Sequence, residues 1–150
     1  MTSRDRARAY IAQSEDATGL KNIRSHAQKA NEQEIADLAF RRLIGLRVEW
    51  EPGTVEHDFW TTVHAFETVL SEERGRTTRL GRTRQKVARD GVVATLASWA
   101  TGQPTEGFAM LRERNMLDLT GEAIVLRHPH HFDEAVIAAC QQRLADAKAP

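Results

Sequence analysis

A single cysteine, Cys140, excludes an internal disulfide framework and fits a reducing compartment. Four prolines and nine glycines leave no Pro/Gly-rich linker. No apolar run approaches the roughly 18 residues that a membrane span needs. The opening stretch MTSRDRARAYIAQ lacks the continuous apolar core of a signal peptide. The expectation is a cytoplasmic protein with no membrane partner. There is also no GxSxG nucleophile elbow, no phosphate-cradling glycine loop and no dinucleotide fingerprint. No cofactor is expected, and a non-enzymatic role is favoured.

Over 150 residues, a hydrophobic share of 41% and a charged share of 28% suit one globular domain able to bury a core without staples. The apolar residues recur at three- and four-residue intervals, and no segment alternates in the manner of a strand. The expected fold is all-α: a compact multihelical domain of about eight or nine short-to-medium helices, without a sheet. A three-helix subunit over 1–51 is expected to precede a helical unit over 54–150, separated at the Glu51-Pro52-Gly53 turn.

Local signals set the helix ends. Asn31, with Glu34 three residues on, reads as a capping box that opens the third helix. Its expected core face is Ile35, Leu38, Ala39, Leu43 and Leu46. Thr54 is an N-cap for a helix carrying Val55, Phe59, Val63, Phe66 and Leu70. Gly75 and Gly81 interrupt its continuation, and a shorter helix follows from about 78 or 82 to 89. Beyond Asp90-Gly91 come an apolar helix with Leu96, Trp99 and Ala100, then a helix with Pro104 in its first turn. Thr120 and Asp133 cap the last two helices.

Net charge is zero, from 21 basic and 21 acidic residues, but it is unevenly spread. Residues 74–89 (RGRTTRLGRTRQKVAR) hold seven cations and no acid, which leaves 14 basic against 21 acidic residues elsewhere. Six of the seven are arginines, whose planar fork pairs bidentately with phosphate. With 78–89 helical, Arg79, Arg82, Lys86 and Arg89 share one face, while Leu80, Arg84 and Val87 lie on another. The pattern points to a nucleic-acid contact, in the first place DNA, through Arg76, Arg79, Arg82, Arg84, Lys86 and Arg89. An accessory or regulatory DNA- or RNA-binding protein is the leading expectation. A module for an acidic protein partner is the alternative, and a small nuclease using Glu72, Glu73 or Asp90 is a weaker one.

A standard helix-turn-helix fits poorly, because the second helix, VVATLASWA, has no side chain suited to reading bases. His57 and His64 stand seven apart rather than the four that lets one helix chelate a metal, so no metal site is expected. The His128-Pro129-His130-His131 run suits a helix end, with imidazoles on free carbonyls. Cys140 falls on an apolar face, where it acts as a small hydrophobe. Trp60 lies partly off its helix's apolar stripe, which leaves it to cover the N-terminal helices or to meet a second subunit in a homodimer.

Overall fold

The computed structural model describes residues 1–149. The described residues form nine α-helices and two single-turn 3-10 helices, with no strand among them. They divide into two compact units, Met1–Glu49 and residues from Trp50 onward, beside the expected Glu51–Gly53 turn.

The first unit holds α1 (Ser3–Gln13), α2 (Ala17–Lys29) and α3 (Gln33–Arg47). Ile11, Leu20, Ala27, Ile35, Ala36 and Ala39 form its core. Asn31 does not cap α3. It sits in the left-handed region, at φ 58°, just after Ala30, the C-cap of α2. The Glu32 N–H donates to the Ala27 carbonyl at 2.8 Å and the Asn31 N–H to Gln28 at 3.2 Å, the bonding pattern of a Schellman C-cap. Glu34 does not reach back to Asn31 but accepts from Arg8 of α1 at 2.7 Å. The expected face of α3 meets the core of this unit: Ile35 and Ala39 lie in it, and Leu38, Leu43 and Leu46 pack against it. Ala36, Phe40 and Ile44 are buried beside Ile35 and Ala39, whereas Leu38, Leu43 and Leu46 are half-buried.

The second unit is built on α4 (Val55–Arg74), followed by α5 (Gly81–Asp90), α6 (Val92–Thr101), α7 (Glu106–Glu113), α8 (Gly121–Arg127) and α9 (Glu134–Lys148). Helices α4, α6, α8 and α9 meet around Val55, Phe59, Val63, Leu96, Ala100, Ile124, Val125, Val136 and Cys140. Thr54, Thr120 and Asp133 cap α4, α8 and α9 as their sequence contexts require, each accepting from an N–H three residues on. Pro104 lies outside α7, because the Thr105 hydroxyl takes the N-cap by accepting from the Phe108 N–H at 3.1 Å. Inside the core, the Thr62 hydroxyl donates to the Leu119 carbonyl and ties α4 to the turn before α8. No described helix is long and apolar enough to cross a membrane.

Candidate nucleic-acid interface

The cation-rich segment begins where α4 stops. Gly75, at φ 67°, takes the left-handed conformation that closes the helix, and the Arg76 N–H returns to the Ser71 carbonyl at 3.2 Å. Residues 76–80 are not helical. They are held along the end of α4 by Ser71, whose hydroxyl accepts from the Thr78 N–H at 2.8 Å. The far end is fixed by Glu67, a carboxylate only 4% exposed on α4. Glu67 accepts from the Leu80 N–H at 2.8 Å and from Arg84 twice, Nε at 2.9 Å and Nη2 at 2.7 Å.

Burial works to raise the Glu67 pKa. The Arg84 hydrogen bonds, the Leu80 N–H, the Arg84 charge and the nearby His64 together outweigh it and hold the carboxyl below its ordinary value. The Arg84 guanidinium also lies 5.2 Å from the centre of the Trp60 ring, a cation–π contact. Leu80 and Val87 pack against the same core. Helix α5 is therefore docked through positions 80, 84 and 87, and Arg82, Gln85 and Arg89 are exposed.

This geometry revises the expected ridge. Helix α5 starts at Gly81, with the Leu80 N–H bonded to Glu67, so Arg79 lies on the irregular stretch and not on the face of Arg82, Lys86 and Arg89. Arg84 is a docking residue, engaged by Glu67 and Trp60. Lys86 and Arg89 share Asp90, at 3.2 Å and 3.1 Å. Arg74, Arg76, Arg79 and Arg82 are exposed and form no ion pair among the described residues. The acids before the segment are partly engaged, with Glu73 paired to Arg114 at the C-cap of α7.

Glu67 is the residue that the sequence reading missed. It lies four residues after Val63 and three before Leu70, so the helical period that defined the α4 core face also places it there. An acid on a core face calls for a cation, and the docked face of α5 supplied one.

Helix α6, the second helix of the helix-turn-helix reading, buries Thr95, Leu96 and Ala100. Trp60 packs edge-on against Phe59 at 5.4 Å and is covered by Arg84, both within the second unit. His128 is not on a free carbonyl: its Nε2–H donates to Asp58 at 2.8 Å, beside Arg127 at 3.3 Å. Burial pushes the Asp58 pKa up, but the His128, Arg127 and His57 contacts bring it below its ordinary value. No group of three His, Cys, Asp or Glu side chains that could hold a metal occurs among the described residues. Cys140 is fully buried, and burial raises its thiol pKa to about 11, away from nucleophilic use. Compared with models of protein families, with characterised proteins and with solved structures, the chain matches none.

Proposed function

We propose that this chain is a nucleic-acid-binding protein of accessory or regulatory type, contacting phosphates through Arg74, Arg76, Arg79 and Arg82. One observation carries the reading: these four exposed arginines lack ion pairs among the described residues, while their backbone is pinned by Ser71 and Glu67. A surface that merely balanced its own acids would pair its cations, as Arg84, Lys86 and Arg89 do. Pinning also lowers the ordering cost of binding, because the arginines project from a fixed chain. Arg84 drops out of the contact set, and Lys86 and Arg89 become secondary because each would have to leave Asp90.

Salt titration tests this. Four phosphate contacts give a slope of log affinity against log salt of about −3.6 on duplex DNA and about −2.8 on a single strand. On duplex DNA, affinity then falls about 150-fold between roughly 50 and 200 mM salt. The double variant Arg79→Ala, Arg82→Ala should flatten the slope by about half. Binding indifferent to both salt and the double substitution defeats the reading. Capture of an acidic protein, with no nucleic-acid affinity, favours the interaction module instead.

A further inference from the structure

Beside the arginine segment, the second unit holds a small cavity of about 160 Å³. Its walls include Phe66 of α4, Leu80 and Thr83 of the arginine segment, Trp99 of α6, and Glu106 and Met110 of α7. The volume lies well below the roughly 300 Å³ at which pockets for drug-sized ligands begin, so it suits one small ring system and not a whole cofactor. Resting on the nucleic-acid reading above, we infer that this cavity receives a single unstacked base of a nucleic-acid strand whose phosphates lie on Arg79 and Arg82.

Three observations converge on that occupant. The first is adjacency. Leu80 and Thr83 line the cavity, while their chain neighbours Arg79 and Arg82 are the exposed arginines without ion pairs among the described residues. A ligand in the cavity therefore lies next to a surface that draws polyanions, and an isolated apolar ligand would make no use of it.

The second is that the aromatic walls are held in place. Trp99 stacks on Phe59 at 5.3 Å with planes 24° apart. The Phe66 ring lies so close over Gly107 that a Cβ there would come within 2.5 Å of it. Fixed aromatic walls suit a planar ring, and base–aromatic contacts are a main source of affinity in single-strand recognition.

The third is polarity at the edge of the cavity. The Thr83 hydroxyl can donate or accept, whereas the Glu106 carboxylate only accepts. An acceptor carboxylate favours a base edge that carries an amino group, such as cytosine N4.

The test compares an oligodeoxycytidine with an abasic strand bearing the same number of phosphates. The wild-type chain should bind the cytidine strand about tenfold more tightly, the margin expected of one aromatic-packed base. Thr83→Phe fills the cavity from a half-exposed helix position and keeps every arginine. It should abolish that margin and leave abasic binding unchanged, whereas Arg79→Ala with Arg82→Ala weakens both ligands alike. In a Trp50→Phe, Trp60→Phe background, only the cytidine strand should quench Trp99 fluorescence, a readout independent of whether Thr83→Phe folds. Equal wild-type affinity for the two strands, or no Trp99 response, overturns the base pocket and leaves the arginine reading intact. Absence of binding to either strand, or equal displacement by polyglutamate, overturns both.

Discussion

Removing Glu67 should uncouple the arginine segment from α4, and its cost can be worked from the contacts it makes. The carboxylate side chain is 5% exposed and that of Arg84 30% exposed. Breaking a fully buried ion pair by deleting one partner costs about 3–5 kcal/mol. Here the freed Arg84 can turn toward water, which lowers that figure. The Leu80 N–H loses its acceptor as well, at about 1 kcal/mol or more. The balance for Glu67→Ala is about 3 kcal/mol. Arg84→Met keeps the packing over Trp60 but strands the Glu67 carboxylate, at a similar cost. The double variant leaves neither charge unpaired, so it should cost less than the two singles added, with a coupling of about 2 kcal/mol. Urea unfolding of the four chains, followed by circular dichroism, measures the cycle. Hydrogen exchange should quicken across 76–90 in Glu67→Ala and stay unchanged in α8 and α9. A coupling below about 0.5 kcal/mol, the level of an exposed surface pair, would refute the docking role assigned to Glu67 and Arg84.

Two further outcomes follow from the same geometry. Stability should decline in acid, because Glu67 and Asp58 both titrate lower in the folded chain than in the unfolded one. Their contribution is complete above the unfolded values near pH 4–5 and is lost as pH falls through the depressed folded values. Unfolding free energy measured against pH should show this limb reduced in Glu67→Gln, and an unchanged limb would count against the pair. Asn31→Ser separates the two roles open to Asn31. Serine serves as well as asparagine at an N-cap, but in the left-handed position it should cost about 1 kcal/mol in thermal or urea unfolding.

The helix ends were legible where one residue had one plausible local use. Thr54, Thr120 and Asp133 each precede an apolar helical pattern, and each caps it. Asn31 was ambiguous because asparagine suits both an N-cap and a left-handed C-cap. Glu34 at the third following position completed a convincing box. The choice was settled by groups far apart in sequence, with Arg8 drawing Glu34 away and the Glu32 N–H returning to Ala27. The expected α3 face does meet the core of its unit, but the period did not single out Phe40 and Ile44, which are buried as well. The cavity beside α5 had no sequence signature at all. Its aromatic and polar walls come from four helices, and no spacing within any one of them brings Phe66, Thr83, Trp99 and Glu106 together.

The cation run is a different case, since its composition was visible while the state of each cation was not. Seven positive charges in 74–89 suggested a single face, but burial and pairing divide them. Position 84 shares a helical face with 80 and 87, so an arginine there meets the core before it meets a ligand. In this chain Glu67 makes that placement tolerable by satisfying both Arg84 and the Leu80 N–H. Helix α5 itself starts only at Gly81, past Arg79. The cationic surface thus shifts from the body of a helix to the irregular stretch before it and the first turn after. On the proposed nucleic-acid reading, such a segment would follow a phosphate chain along its length and would not enter a groove as a recognition helix. On the same reading, Leu80 and Thr83, and the cavity they line, would lie beside the strand. One carboxylate on α4 thus takes Arg84 out of the exposed set and anchors the chain at Leu80, beside Arg79.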